Sequence, residues 1–484
     1  MAVAGGGRPG RLLARGGSSS SKQKQRTINN IRVTLLAAFI TFLVLRCAIG
    51  VNRLTIAGAG SDRRAARSQV IEDIERVLRE IRSDSDPDED DAASSTASPA
   101  TASRSYSLGP RVTRWNAKRR QWQHRNPGFP PRDARGNPRV LLVTGSPPGP
   151  CDDPVGDHYL LRATKNKIDY CRLHGIELAH SMARLDPELA GGGGWSKLQL
   201  LRRLMLAHPE VEWLWWVDSD AVITDMGFEL PFDRYVTSNL VVHGHHDLVF
   251  KRRSWVALST GSFLLRNCQW SLELLDAWAR MGPKGRVRAE AGKLLTASLK
   301  GRPAFEADDQ SALIHLLITE KQNWMDKVYL ENEYYLHGLW VWVVDRFEQV
   351  MEKHHPGYGD DRWPFVTHFV GCDPCGGRSS SSGTRHGDYS PERCLRGMER
   401  AFNFADNQVL MLYGFRHPSL ASAEVRRVEN RSANPLEAKE AAIEFLTKPK
   451  EVQIHDVRKH RKRVGKRESV LGRILRKLGL GGRS

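Results

Sequence analysis

Long apolar runs, cysteines and N-terminal acids are all scarce in this sequence. Only one apolar run is long enough to cross a membrane, Val33–Val51, so a protein with several membrane spans is excluded. Cysteine occurs only seven times, too rarely for a small scaffold held together mainly by disulfides. With 484 residues against domain sizes of ~100–200 residues, the chain fits one large folded domain of about 300 residues with appendages.

The run Val33–Val51 is close in length to the ~20 residues that span a hydrocarbon core as a helix. Its single charge, Arg46, lies near the far end, where a long side chain reaches the headgroups. A cleaved signal peptide is the competing interpretation, but its apolar stretch is usually ~7–15 residues and no small-residue cleavage site follows here. Seven basic residues and no acid precede the run. The positive-inside rule therefore predicts that residues 1–32 are cytosolic, 33–51 form a signal-anchor helix and the rest is lumenal.

Six cysteines follow the apolar run, and in an oxidising lumen an even set can pair. They are Cys151, Cys171, Cys268, Cys372, Cys375 and Cys394. Spacing does not choose among the pairings that six cysteines allow. Cys372, Cys375 and Cys394, together with His368, also have the ligand types of a Cys₃His zinc site. An oxidising lumen disfavours this alternative because it favours disulfides over zinc-bound thiolates. One glycosylation sequon begins at Asn430, and it is meaningful only if that segment is lumenal.

Residues 52–138 have the composition of a stem and linker. An apolar stripe at helical spacing, Val70–Ile81, is typical either of a short stem coiled coil or of a helix packed on the next domain. The acidic stretch Asp84–Asp91 and the Ser-, Ala- and Thr-rich residues 92–107 cannot bury a core. The formal charge of +18 is concentrated at the chain ends, including a basic C-terminal tail at 431–484. We expect that tail to be solvated and expect no nucleic-acid partner.

The segment 139–430 alternates predicted strands and helices. Val140–Gly145 is a buried first strand, and Val211–Val217 is a central strand that ends at Asp218. A further strand is predicted at Leu258–Leu265, and helices at His158–His174, Leu198–Ala207, Trp270–Arg280 and Gln310–Thr319. This alternation predicts an α/β fold with a mostly parallel sheet, whose ligands lie beyond the carboxyl ends of the strands.

Asp218-Ser219-Asp220 directly follows the central strand. Positions i and i+2 share one face of an extended chain, so the two carboxylates lie together. Such triplets are common in surface turns, but after a strand of large apolar residues an unpaired charge is costly. With an imidazole, for which His368 is the candidate, these oxygens suit Mn²⁺ or Mg²⁺ with open positions for phosphate oxygens. The alternative for a lone histidine is a hydrogen-bonded core residue.

A second polar segment opens the predicted helix at Gln310. Glu306, Asp308 and Asp309 precede the amide of Gln310, and three acids beside one helix start repel each other without a ligand. Capping of the helix by Asp309 explains one of them. Carboxylates and amides also bind sugar hydroxyls, so this segment is a candidate for binding a sugar.

Two other segments have both a functional and a structural interpretation. Lys197 follows a loop of four glycines, Gly191–Gly194, and either contacts phosphate or is simply exposed. Tyr334–Trp340 contains three aromatic residues that either line a polysaccharide groove or pack in the core.

Several long strings connect the sequence with a known family. They are VTGSPPGPC, GDHYLLRATKNKIDYCRLHGIE, WWVDSDAVITDM, TGSFLLRNCQWSLELLDAWARMGPKG, RPAFEADDQSALI, YYLHG, RWPFVTHFVGC and RAFNFADNQVL. From Val140 to Arg427 the chain resembles the plant xyloglucan α-1,6-xylosyltransferases and galactomannan galactosyltransferases of glycosyltransferase family 34. The resemblance implies a GT-A fold, a single-pass type II protein of the Golgi membrane, a UDP-sugar donor and retention of anomeric configuration.

The resemblance also implies roles for individual residues. Asp218, Asp220 and His368 would hold Mn²⁺, or alternatively Mg²⁺, and Asp308, Asp309 and Gln310 would be the catalytic group at the reacting sugar. The implied donor-binding set is Gly145, Lys197, Asp218, Ser219, Asp220, His337, Gly338, His368, Gly371 and Asp373. The implied substrates are UDP-xylose and the β-1,4-glucan backbone of xyloglucan. The implied partners are related transferases, in homo- or hetero-oligomers.

Three positions depart from the family pattern. Asp373 stands where the family has the lysine of CKPC, and an acid there would repel phosphate. Ser259 replaces the amide of the usual LNTG, and Ser379–Ser382 resembles a loop insertion. These departures keep two alternatives open: a weakly active scaffold subunit of a transferase complex, and an α-galactosyltransferase acting on mannan. The choice between front-side attack and a carboxylate nucleophile also stays open, with front-side attack favoured by analogy.

Overall fold

The computed structural model describes residues 106–133, 135–183, 185–192, 194–375, 390–431 and 439–448. The run Val33–Val51, the stem stripe, the acidic stretch and the serine insertion lie outside these ranges. Within them, no helix combines the length and the apolar character that a membrane span requires.

The helices and strands of the described residues are as follows. The helices are α1 Trp115–Arg125, α2 Pro154–His174, α3 Ser196–Ala207, α4 Gln269–Ala279, α5 Arg286–Ser298, α6 Asp309–Thr319, α7 Lys321–Trp324, α8 Trp340–Val343, α9 Phe347–Lys353, α10 Pro391–Leu412 and α11 Lys439–Thr447. The strands are β1 Val140–Gly145, β2 Glu177–Ser181, β3 Trp213–Val217, β4 Ala221–Ile223, β5 Leu240–Gly244, β6 Leu258–Arg266, β7 Val328–Glu331, β8 Gly338–Leu339, β9 Val366–His368, β10 Phe415–Arg416 and β11 Arg426–Arg427.

The main sheet has six strands in the order β2-β1-β3-β6-β5-β7. Only β6 runs antiparallel to its neighbours β3 and β5, and the remaining pairs are parallel. All five residues of β3 are buried, because helices cover both faces of a mostly parallel sheet. The predicted α/β fold with a mostly parallel sheet is confirmed.

A second sheet of three strands, β4-β9-β8, lies beyond the carboxyl end of β3. Three residues separate the end of β3 from the start of β4. These residues, Asp218, Ser219 and Asp220, form the link between the two sheets. Strand β9 is antiparallel to β4, with Ala221 opposite His368, and the backbone N–H of Phe369 donates to the carbonyl of Asp220 at 3.0 Å. The small sheet therefore places the histidine beside the two aspartates.

The folded unit extends beyond both ends of the predicted segment 139–430. On the N-terminal side, Trp115 of α1 is 1% exposed and its indole N–H donates to Asn267 Oδ1 at 2.7 Å. On the C-terminal side, Ala442 and Leu446 of α11 are buried against the core. Since α1 and α11 bury apolar side chains in the same folded unit, residues 106–138 are not all stem and 439–448 are not solvated tail.

The cysteines form two disulfides, Cys151–Cys375 and Cys372–Cys394. Cys171 in α2 and Cys268, which directly precedes α4, are buried free thiols, so only four of the six cysteines pair. The alternative zinc site is also excluded, because its three cysteines are in disulfide bonds. Both disulfides hold the segment that follows His368, one to the β1–α2 loop and the other to α10.

Candidate functional site

The structure brings Asp218, Asp220 and His368 together at the carboxyl end of β3. One ligand atom from each residue lies within 4.8 Å of the other two. His368 Nε2 is 3.0 Å from Asp220 Oδ1 and 3.7 Å from Asp218 Oδ2. Two carboxylate oxygens and one imidazole nitrogen fit the ligand preference of Mn²⁺ or Mg²⁺, and they are the only such group among the described residues.

The charges of this group favour a protonated histidine when it has no metal. Burial lowers the pKa of His368, but the attraction of Asp220, its hydrogen bond and the nearby Asp218 outweigh burial and raise the pKa above its usual value. Metal binding requires the neutral ring, so it would displace a proton.

Gly261 of β6 makes room for the His368 ring. A methyl group at Gly261 would overlap the imidazole atoms of His368, and the Gly261 carbonyl accepts a hydrogen bond from Asp218 N at 2.8 Å. The hydroxyl of Ser259, the residue that departs from the family's amide, accepts from Gly261 N at 3.3 Å. Strand β6 therefore holds the backbone of Asp218 and leaves the space that the His368 ring occupies.

Lys197 is buried in the site, contrary to the alternative of an exposed lysine. Its ammonium lies 2.9 Å from Asp309 Oδ2 and 3.5 Å from Asp218 Oδ1, and it donates to the Thr260 carbonyl at 3.0 Å. Burial by itself lowers the pKa of Lys197, but Asp218 and Asp309 more than offset this and raise it. Lys197 therefore joins Asp218, a candidate metal ligand, to the predicted sugar-binding acid Asp309.

The three polar residues at the start of α6 have different roles. Asp308, and not Asp309 as predicted, caps the helix by accepting from Ser311 N at 2.8 Å; its other oxygen accepts from buried Arg302 at 2.9 Å. Asp309 is buried beside Lys197. Gln310 donates from its amide to the Trp255 carbonyl at 3.1 Å. Asp308 is thus paired within the protein, and Asp309 is linked to Asp218 through Lys197.

His337 lies next to His368, the candidate metal ligand. Its ring meets the His368 ring edge to face at 4.9 Å, and His243 lies 5.8 Å away on its other side. Burial, followed by repulsion from the two other imidazoles, holds the pKa of His337 well below its usual value. A buried nitrogen on each of the three rings has no hydrogen-bond partner among the described residues. Gly338 is packed so closely on the Val366 carbonyl that it has no room for a side chain.

The remaining predicted residues lie around the same end of the sheet. Gly145 ends β1, where an added side chain would lie 3.1 Å from the Ser181 carbonyl, and Ser219 is half-buried between the aspartates. Gly371 has φ 82°, which favours glycine. Asp373 is exposed, and its Oδ1 accepts from Cys375 N at 3.1 Å.

Two predictions concern residues outside this site. Asn430 is exposed, as a glycosylation site requires, and its glycosylation stays a prediction. Tyr334 and Trp340 are 4% and 2% exposed, so the core interpretation of Tyr334–Trp340 holds and the groove interpretation is wrong for these two rings.

Sequence reasoning missed two α2 residues beneath the aspartates. The amide of Asn166 bonds both the N–H and the carbonyl of Ile223, at 2.8 and 2.9 Å, and so replaces a neighbouring strand along the open edge of β4. Lys167 is 1% exposed and donates to the Ala221 carbonyl at 2.9 Å. Burial lowers the pKa of Lys167 to about 8, against the attraction of Asp220 and Asp218. The available signal in the sequence was a lysine in the middle of the helix predicted at His158–His174.

Comparison with known proteins agrees with this geometry. A family model described as the galactosyl transferase GMA12/MNN10 family matches residues 136–379. The chain belongs to this family. It is therefore a glycosyltransferase by descent, and the matched segment includes Asp218, Asp220 and His368.

Relatives of this glycosyltransferase match along nearly their whole length. "Probable glycosyltransferase 3" of Oryza sativa subsp. indica is 66% identical over 473 residues, covering 93% of this chain and 99% of that protein. "Probable xyloglucan 6-xylosyltransferase 5" of Arabidopsis thaliana is 58% identical over 436 residues, covering 90% of each chain. "Xyloglucan 6-xylosyltransferase 2" of the same plant is 49% identical, covering 88% of this chain and 95% of that protein.

Replacing Gly261 by alanine should weaken metal binding, because the added methyl group would displace the His368 ring. We expect Gly261→Ala to lower Mn²⁺ affinity by about 10–100-fold, the usual effect of disturbing the residues that orient a metal ligand. Isothermal titration of Mn²⁺ into the full chain measures this. The control is Gly128→Ala, where the methyl group meets nothing within 4 Å. Equal Mn²⁺ affinity in both variants would show that His368 is not a ligand.

Proposed function

We propose that this glycosyltransferase moves xylose from UDP-xylose onto the β-1,4-glucan backbone of xyloglucan, forming an α-1,6 linkage with retention. The observation that carries the proposal is the Asp218–Asp220–His368 group with Asp309 joined to it through Lys197. Relatives named xyloglucan 6-xylosyltransferases support the choice of donor and acceptor. We further propose that the sheet order and the link between the two sheets represent a GT-A arrangement.

The residues around the aspartates suit a UDP-sugar diphosphate. Mn²⁺ or Mg²⁺ held by Asp218, Asp220 and His368 would neutralise the diphosphate as it leaves. Lys197 keeps a buried positive charge 3.5 Å from Asp218. His337 packs its ring against that of His368 and so borders the same group.

The contacts of Asp309 bear on how anomeric configuration is retained. Its carboxylate is buried and paired with Lys197 at 2.9 Å, and a carboxylate held by an ammonium is a weaker nucleophile. Gln310 is no nucleophile. We therefore favour front-side attack, in which Asp309 and Gln310 orient the sugar and the departing phosphate takes the proton of the acceptor hydroxyl.

Transfer of xylose to cellohexaose tests the proposed function. The full chain with Mn²⁺ and UDP-xylose should give an α-1,6-linked product, measured by linkage analysis. Because Asp220 supplies a metal ligand, Asp220→Asn should reduce the rate on the order of 10²–10³-fold. The control Asp326→Asn changes a largely exposed acid and should leave the rate unchanged.

Two results would replace the proposal by one of its alternatives. Transfer of galactose from UDP-galactose to manno-oligosaccharides, with no xylose transfer, would make the protein a galactosyltransferase. If the chain bound neither Mn²⁺ nor UDP in a titration, the scaffold-subunit alternative would stand.

Asp373 should weaken donor binding through its charge. Asp373→Asn removes the charge and keeps an oxygen that can accept from Cys375 N, so the loop stays in place. We expect the KM for UDP-xylose to fall severalfold in this variant and further in Asp373→Lys, with the difference shrinking at high salt because exposed charges are screened. Asp326→Lys is the control for an added charge elsewhere. An unchanged donor KM in both Asp373 variants would place Asp373 away from the diphosphate.

We also propose that the protein is a type II protein of the Golgi membrane, anchored by Val33–Val51 with its catalytic unit lumenal and associated with related transferases. The basic residues 1–32 support this orientation, and the two disulfides suit an oxidising lumen. Protease treatment of sealed Golgi vesicles should leave the catalytic unit intact until detergent is added. Digestion of the catalytic unit without detergent would show that it faces the cytosol and that the proposed orientation is wrong.

A further inference from the structure

An exposed pair of aromatic residues lies beside the catalytic end of α6. Phe305 is 43% exposed and Trp255 is half-buried. Their ring centroids are 6.3 Å apart at an interplanar angle of 72°. This pair, the Phe305–Trp255 surface, stands out because Tyr334 and Trp340 are buried in the core.

Both aromatic residues are fixed to the start of α6. The guanidinium of Arg302 lies 3.8 Å from the centre of the Phe305 ring, and Arg302 also binds the helix cap Asp308 at 2.9 Å. The Trp255 carbonyl accepts the amide of Gln310 at 3.1 Å. The surface is therefore held in place by the residues that position Asp309 and Gln310.

The chemistry of the Phe305–Trp255 surface fits a β-linked glucose chain. A β-1,4-glucan has equatorial substituents, so each sugar ring presents C–H groups on both faces, and such faces pack on aromatic rings. Arg302 covers one face of the Phe305 ring and leaves part of the ring exposed. The exposed carboxylate of Glu306 lies next to Phe305 in the chain, as an acceptor for sugar hydroxyls. Apolar rings with a few polar groups are the usual make-up of a ligand site.

We infer that the Phe305–Trp255 surface binds the glucan acceptor and leads it to Asp309 and Gln310. The choice of glucan rests on the proposed function. The contacts that hold Phe305 and Trp255 in place involve only protein groups. Acceptor binding can therefore be measured without donor and without metal.

A second exposed aromatic pair provides a matched control. Phe129 is 48% exposed and packs on Trp122 with ring centroids 5.7 Å apart. It lies 5.8 Å from the guanidinium of Arg139, the residue before β1, and so at the opposite end of the sheet from Gly145. The two phenylalanines match in exposure and in having a tryptophan neighbour, and differ in their distance from the site.

The experiment is isothermal titration of cellohexaose into the full chain and its variants, without UDP-xylose or metal. We expect Phe305→Ala to weaken binding about tenfold, the effect of losing one well-placed aromatic contact. Phe305→Leu keeps the packing on Arg302 but lacks an aromatic face, and should also bind weakly. Phe305→Tyr should bind as the unchanged chain does, and so should Phe129→Ala.

Either of two results would overturn the inference: no binding of cellohexaose by the unchanged chain, or equal binding by all variants. Thermal unfolding of each variant shows whether Phe305→Ala is folded, and Phe305→Leu provides the test if it is not. Xylose transfer is assayed in parallel. If binding depends on Phe305 but no transfer occurs, the inference stands and the proposed function fails.

Discussion

The balance of buried charge at the carboxyl end of β3 is the constraint on which the rest of the site depends. Asp218, Asp220 and Asp309 place three carboxylates within one small volume, where an unpaired charge would be costly. Lys197 and His368 form ion pairs with them. The buried ammonium of Lys167 attracts Asp218 and Asp220. Since each of these cations comes from a different element, the charge balance exists only when α2, α3 and β9 are all in place.

The surrounding structure fixes the geometry that this balance needs. Strand β9 pairs with β4 so that His368 lies opposite Ala221, and the space at Gly261 determines where the imidazole lies. Two disulfides hold the segment after His368 on both sides. The amide of Asn166 completes the hydrogen bonding of β4. The Asp218–Asp220–His368 group is thus supported by contacts from several elements, and such support reduces the reorganisation that binding a metal would require.

The two halves of the site differ in how they are built. The proposed metal-binding half is polar and partly buried, and its charges are paired within the protein. The Phe305–Trp255 surface is apolar and partly exposed, and is attached to the metal-binding half through Arg302 and the start of α6. This division suits a reaction between a charged nucleotide-sugar and a neutral polysaccharide. It also explains why Asp308 is engaged within the protein: it joins the helix that carries Asp309 to the arginine beneath Phe305.

Local patterns in the sequence determined the strand β3, the aspartates at its end and the predominantly parallel sheet, because side-chain alternation and apolar runs are properties of neighbouring residues. The strings around Asp218 and His368 also determined the family. The tertiary structure alone decided that Lys197 is buried, that Asp308 caps α6, that Cys171 and Cys268 stay unpaired, and that Tyr334 and Trp340 belong to the core. These outcomes depend on contacts between distant segments, such as His368 and Asp220, which are 148 residues apart. No local periodicity encodes such a contact, because it arises only when separate elements pack together.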